Sequence, residues 1–294
     1  MIRSPLFMKG KGEKVLCDLC PNNCEINSGD FGACGVRGNK NGAGIIPFYS
    51  FISALAIDPI EKKPLYHFKP GSKIISLGFA GCNLRCPFCQ NWRISQNTDI
   101  CSSNQGKWMQ PAEIISAALQ CNSPSIAYTY SEPLVHFEYV LDCMILAKKQ
   151  NIANVLVTNG CINKNAASLL LKETDAVNVD LKCFSEDTYK KVLGGSVSCG
   201  SLLQTVLDFI KQCYEMKVHL EITTLVVPDL NDSQMELSSI ANFIASIDKD
   251  IPWHLTAYHP DYRWNAPPTD PAFLLQTAKE AKKKLSFVHT GNIK

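Results

Sequence analysis

The sequence predicts an α/β chain folded as a partial (β/α)6 TIM-like barrel with a small cysteine-rich segment ahead of it, and three observations carry that expectation. From residue 73 onward, short runs rich in β-branched and aromatic residues alternate with runs of helical period. Strands separated by helices wind as right-handed parallel β-α units. Polar or turn-forming residues follow nearly every expected strand, and the C-terminal strand ends are where such barrels gather their chemistry. Finally, residues 17–34 hold four cysteines among Asn, Gly and Asp. That segment has too little apolar surface to fold unaided, so a metal is expected to staple it. A doubly wound open sheet is the competing architecture for the larger part.

Taken in order, residues 1–40 form the cysteine-rich metal-binding segment, 41–72 a lead-in and 73–294 the barrel. Cys17, Cys20, Cys24 and Cys34 stand in a C-x2-C-x3-C-x9-C spacing. Tetrahedral zinc and a fully ligated 4Fe-4S cluster both suit four thiolates, and the spacing selects neither; four unliganded core cysteines are the remaining alternative. The lead-in is Gly-rich at Gly42 and Gly44 and then runs from Asp58 to Gly71 through a charged and aromatic stretch flanked by prolines. Proline at these positions favours an extended surface connector over a helix. In the barrel, strands are expected near 73–79, 125–130, 154–158, 176–181, 218–227, 253–257 and 286–290. Helices are expected near 111–120, 134–150, 163–171, 201–216, 233–246 and 270–284. Pro111 and Pro271 fall at first-turn positions, and Asp232 is the expected N-cap of the fifth helix.

Composition excludes several classes. The 294 residues can bury one large core or two modest ones. A net charge of +2 without a long basic run argues against a nucleic-acid binder, which needs many phosphate contacts. The first 14 residues lack an apolar export region, and no 18-residue apolar run occurs, so a cytoplasmic protein with no membrane partner is expected. Of the 14 cysteines, half fall in two tight groups with metal spacing. Cys101, Cys121, Cys143, Cys161, Cys183, Cys199 and Cys213 are scattered, as small buried apolar residues would be.

The second group is Cys82, Cys86 and Cys89, in a C-x3-C-x2-C spacing directly after the first barrel strand. Three close thiolates can hold a 4Fe-4S cluster while one iron stays free of protein ligands and able to activate a small molecule. Zinc would need a fourth ligand, and after Cys89 the next cysteine is Cys101. The fourth strand, Val177-Asn178-Val179-Asp180-Leu181-Lys182, alternates strictly, which turns Asn178, Asp180 and Lys182 to the barrel's inner face. A buried carboxylate and ammonium are costly unless they pair with each other or meet a polar ligand. The fifth strand would turn His219, Glu221 and Thr223 inward in the same way.

The C-x3-C-x2-C motif, with Phe88 just before its last cysteine, resembles the signature of the radical S-adenosylmethionine (SAM) superfamily. The likeness extends over most of residues 73–232 and resembles most the pyruvate formate-lyase activating enzyme-like branch, AmmeMemoRadiSam-type proteins in particular. The resemblance implies a radical SAM barrel in which Cys82, Cys86 and Cys89 hold the cluster and SAM chelates its open iron. Phe88 would pack beside the adenine. Tyr128-Thr129-Tyr130-Ser131-Glu132-Pro133 stands where the family has Gly-Gly-Glu, so Glu132 would hold the SAM amino group, although both glycines are missing. Asn159, Asp180 and Lys182 fall in comparable motifs and join Phe88 and Glu132 as cofactor-binding candidates; Glu132, Asp180 and Lys182 are the catalytic candidates. Asp229 stands where the family has glycine. The lead-in resembles one found in the same branch, which makes Lys62, Lys63, Tyr66 and His67 substrate candidates.

The implied reaction is reductive cleavage of SAM, with a flavodoxin or ferredoxin as reductant, followed by hydrogen abstraction. An activase would act on a protein glycine, and the alternative enzyme on a small metabolite or cofactor. A non-catalytic iron-sulfur electron carrier fits the cysteine count but not the open-iron spacing, and a zinc-ribbon nucleic-acid module fits residues 17–34 alone.

Overall fold

In the computed structural model, which describes residues 4–96, 106–194 and 201–293, each expected strand joins one sheet. We number its strands β1 Ala54–Pro59, β2 Lys73–Gly78, β3 Ser125–Thr129, β4 Ala153–Thr158, β5 Ala176–Asp180, β6 His219–Val226, β7 Trp253–Ala257 and β8 Val288–Gly291. They lie in sequence order across the sheet. β2 to β8 are mutually parallel and β1 runs antiparallel to β2. A strand covered on both faces buries every residue, as β3 does.

Six helices make the crossovers: α1 Pro111–Gln120, α2 Phe137–Lys149, α3 Lys164–Leu171, α4 Leu202–Glu215, α5 Gln234–Ile247 and α6 Pro271–Ala281. In α4, Leu202, Val206, Phe209, Ile210 and Cys213 share the buried face at helical spacing. Pro111 opens α1 with a Gln110/Glu113 capping box, and Asp270 caps α6 ahead of Pro271. The cap of α5 is Ser233 rather than Asp232: its side chain accepts from Glu236 N at 3.1 Å. A stretch the sequence did not announce, the short helix Glu186–Thr188 running into the π-helical turn Tyr189–Gly194, follows β5. Cys143, Cys161, Cys183 and Cys213 are buried, and Cys121 is partly so. Cys101 and Cys199 lie outside the described residues.

Two expectations about the first 72 residues are corrected. The lead-in is not a surface connector, since Ala54–Pro59 is an edge strand of the barrel sheet and Ile60–Lys62 is one turn of 3-10 helix. Pro59 ends an edge strand, where a missing N–H costs no ladder bond. The cysteine-rich segment does not rely on a metal alone. Its three-stranded sheet (Met8–Lys11, Lys14–Cys17, Cys24–Ile26) buries Val15, Leu19 and Ile26, and the last two join the main core. Arg37, 1% exposed, clamps it to α2 through a bidentate pair with Glu138 at 2.7 and 2.9 Å. Glu138 also accepts from Leu6 N at 2.6 Å.

Candidate active site

Neighbours on three sides fix the loop after β2. Asn83 donates to the Cys161 carbonyl at 2.7 Å and accepts from Asn159 Nδ2 at 2.9 Å. Arg85 N donates to the Leu193 carbonyl at 2.6 Å, which explains the turn after β5, and its guanidinium reaches the carbonyls of Cys82 and Ala33. Gly81 has φ +78°, and a Cβ there would strike the Cys34 carbonyl. Glycine is therefore what lets the N-terminal segment lie against the loop.

Cys82, Cys86 and Cys89 line one wall of a cavity of about 600 Å³, a size typical of small-molecule sites. Leu84 N lies 3.3 Å from Cys82 Sγ, Asn159 Nδ2 3.7 Å from the same sulfur, and Ser95 Oγ 3.2 Å from Cys89 Sγ. Three soft sulfur ligands with hydrogen-bond donors around them form a donor set that fits a 4Fe-4S group. Burial, and next the Glu132 and Cys86 charges, push the Cys82 thiol well up; burial pushes Cys86 up to about 12. Loading the site must therefore displace protons.

Beside the cysteines, Glu132 is buried at the start of the turn leading into α2. Its carboxylate accepts from Leu134 N at 3.1 Å, Thr158 Oγ1 at 2.7 Å and Asn159 N at 2.8 Å. Burial pushes its pKa up to about 7 against the pull of those hydrogen bonds. Asn159 spends its side chain on Asn83 and on Cys161 N, so it positions the cysteine loop. Asp180 and Lys182 turn inward as the alternation of β5 requires, with Nζ 3.3 Å from Oδ2. Burial would lower the Lys182 pKa, but Asp180 and the sulfurs of Cys86 and Cys89 outweigh it and raise it. Phe88, Glu132, Asn159, Asp180 and Lys182 thus share one cavity with the three cysteines.

The cavity continues to the barrel floor, which the lead-in closes. After β1 the chain crosses to the opposite edge of the sheet and back. Glu221, fully buried on β6, accepts from Tyr66 N at 3.0 Å and His67 N at 2.9 Å, and from His219 and His254 at 2.9 and 2.6 Å. Burial opposes its charge, yet these four donors hold its pKa down at about 2. Lys62, Lys63 and Tyr66 line the cavity, whereas His67 pairs with His289 at 2.9 Å. Lys63 Nζ lies 2.8 Å from Asp58 Oδ2 and 4.2 Å from the Tyr130 ring centre; Tyr130 OH donates to the same Oδ2 at 2.6 Å.

Asp58 and Tyr130 were not candidates, and each left a trace. Ala54, Ala56 and Asp58 share the inward face of an alternating run. Tyr130 has φ +69°, a backbone that suits glycine, at the position where Gly-Gly-Glu is expected. Asp229 likewise keeps a left-handed turn, at φ +65°, which aspartate tolerates. Its neighbours Pro228–Asp232, and Tyr258–Pro260, stay out of the cavity lining.

Cys17, Cys20, Cys24 and Cys34 also lie outside the cavity. Burial, followed by the charges of Cys34, Cys17 and Cys24, pushes the Cys20 thiol up to about 12 despite a hydrogen bond from the Asn22 backbone. Among the described residues no three or more His, Cys, Asp or Glu side chains gather about a single metal-ion position, Cys17, Cys20, Cys24 and Cys34 included; the Cys82, Cys86 and Cys89 set needs no such convergence, because a cluster takes each sulfur on a different iron.

The loop spacing and the barrel beneath it have one common explanation. The radical SAM superfamily profile matches residues 77–238, more than half of the chain, and the chain belongs to that superfamily. It is an enzyme family whose members imply a 4Fe-4S cluster and SAM. Within it the chain is similar to pyruvate formate-lyase-activating enzyme of Clostridium pasteurianum, at 28% identity over 196 residues, covering 65% of this chain and 76% of that one. It is also similar to the uncharacterized protein MJ0808 of Methanocaldococcus jannaschii, at 37% identity over 296 residues, covering 100% of this chain and 86% of the other. Among solved structures, SuiB of Streptococcus suis bound to S-adenosylmethionine shares the fold with a TM-score of 0.56 and 15% identity, over 73% of this chain and 51% of that one. No helix among the described residues is long and apolar enough to cross a membrane.

Proposed function

We propose that the chain cleaves SAM reductively at the barrel mouth and takes a hydrogen atom from a small polar substrate held deeper in the same cavity. When bound, the cluster supplies the electron that splits SAM into methionine and a 5'-deoxyadenosyl radical. Cys82, Cys86 and Cys89 would hold it, Phe88 would pack on the adenine, and Glu132 would accept from the SAM ammonium through the lone pairs its three donors leave free. Asp180 suits a ribose hydroxyl or the ammonium, and Lys182 the SAM carboxylate. The observation that carries the reading is continuity: the cysteine wall and the charged floor belong to one cavity, closed below by residues 60–68. A low-potential flavodoxin or ferredoxin would be the electron donor, and the unpaired thiols of the described cysteines suit a reducing cytoplasm. Similarity to pyruvate formate-lyase-activating enzymes favours a second reading, in which a protein glycine enters the mouth.

The test is anaerobic reconstitution with iron and sulfide, followed by reduction with SAM. The expected result is release of 5'-deoxyadenosine and methionine; their absence from a fully loaded protein overturns the reading. The same preparation tests a second metal centre at Cys17, Cys20, Cys24 and Cys34, which we infer from their spacing and mutual charge coupling. Metal analysis should find either zinc or about four more irons beyond the catalytic cluster. Asp180→Asn should weaken SAM binding by about tenfold or more, the worth of a charge-assisted hydrogen bond, with the cluster absorbance intact. Unchanged SAM affinity in both Asp180→Asn and Lys182→Met would make the two a structural pair.

A further inference from the structure

We propose that Lys63 is a covalent substrate-binding residue, whose amine condenses with the carbonyl carbon of a small aldehyde or ketone at the cavity floor. This deepens the small-molecule reading above and rests on it. Lys63 is 2% exposed, yet it lines the cavity. Its described hydrogen-bond partner is Asp58, and the Tyr130 ring lies beneath Nζ. An ammonium already matched by a carboxylate gains little from a second anion, so simple anion binding does not account for it. Burial lowers the Lys63 pKa and Asp58 only partly offsets it, so this amine gives up its proton more readily than that of an exposed lysine, although, against its burial, Lys63 and Tyr130 hold the Asp58 carboxyl down at about 2.

The surroundings suit the addition. Tyr130 is held protonated by burial and by Asp58, so its hydroxyl and the Asp58 carboxylate form a proton path beside Nζ. Asn178 Oδ1 and Thr223 Oγ1, both buried on the inner face, have no hydrogen-bond partner among the described residues. Asn178 lies against the segment that carries Lys63, donating to the Pro64 carbonyl at 2.7 Å. Buried polar atoms of this kind call for a ligand. In the step itself, Lys63 passes one ammonium proton to Asp58 and its lone pair bonds to the carbonyl carbon. The carbonyl π electrons move to oxygen, which takes up the second proton as the attacking nitrogen gives it up, leaving a neutral carbinolamine. The carbinolamine then loses its hydroxyl with a proton from the Asp58 and Tyr130 pair, releasing water and leaving a protonated imine. No oxidant or reductant is consumed.

The experiment is reductive trapping. The full chain is incubated near neutral pH with pyruvate, glyoxylate or acetaldehyde and cyanoborohydride, then digested and mapped by mass spectrometry. The expected result is a reduced adduct on Lys63 ahead of exposed lysines such as Lys191 and Lys279, with loss of that adduct in Lys63→Arg. Labelling of the exposed lysines with Lys63 bare for all three carbonyls overturns the proposal. If Lys63→Arg proves insoluble, the wild-type map decides alone. Trapping needs neither cluster nor SAM, and 5'-deoxyadenosine release from the wild type needs no carbonyl, so failure of one reading is distinguishable from failure of the other.

Discussion

Cys86→Ala should abolish 5'-deoxyadenosine release, a fall of more than about 10³-fold, because the reaction has no slower route without the cluster and enzymatic accelerations run to 10⁶ or more. Two remaining thiols, Cys82 and Cys89, hold a cuboidal cluster poorly. Cys86 is the buried member of the three, and as a cluster-bound thiolate it would be a further negative neighbour of Lys182 beside Asp180. The reading-out measurement is anaerobic turnover alongside iron content. Substantial turnover by Cys86→Ala would sink the cluster assignment. Cys121→Ala, at the C-terminal cap of α1 and outside the cavity lining, serves as the control and should retain both iron and turnover.

Glu221→Gln should cost about 3.5 kcal/mol of stability near neutral pH. The figure follows from a carboxyl held at about 2 against an ordinary 4.5, at about 1.4 kcal/mol per pKa unit, and it matches the penalty for breaking a buried charged contact. The sign is that of a depressed acid: the unfolded chain binds the proton more readily, so this stability is present above about pH 4.5 and is lost as pH falls toward 2. Urea midpoints of wild type and Glu221→Gln should therefore differ widely near pH 7 and converge below pH 3. Parallel curves across that range would show that Glu221 is not what fixes residues 66 and 67 to the floor.

The barrel was legible in the sequence because two periodicities reported it independently. Strands buried on both faces stand out as apolar runs, and the 3.6-residue pattern of α4 needs no tertiary information. The inward turn of Asp180 and Lys182 followed from alternation alone, as did that of Glu221 and Thr223. β1 escaped because its cue was weak: an edge strand with Leu55 and Ile57 exposed carries little burial signal, and the prolines after it point to a loop. Asp58, Lys63 and Tyr130 meet only through long-range folding, since Tyr130 joins the others from the end of β3. The Arg37 and Glu138 pair, 101 residues apart, has no local signature either. Spacing could name the cysteines of both groups, but not that one group lines the cavity and the other backs it.

That backing has a kinetic meaning. The Gly81 backbone lies directly on Cys34, Arg85 grips the Ala33 carbonyl, and Asn22 donates to the Asn83 carbonyl at 3.1 Å. The cysteine-rich segment is thus the outer wall of the loop that would carry an oxygen-labile cluster. Loosening that wall from a distance, as Arg37→Ala would by breaking its pair with Glu138, should shorten the life of the loaded enzyme in air, read as faster loss of the cluster absorbance.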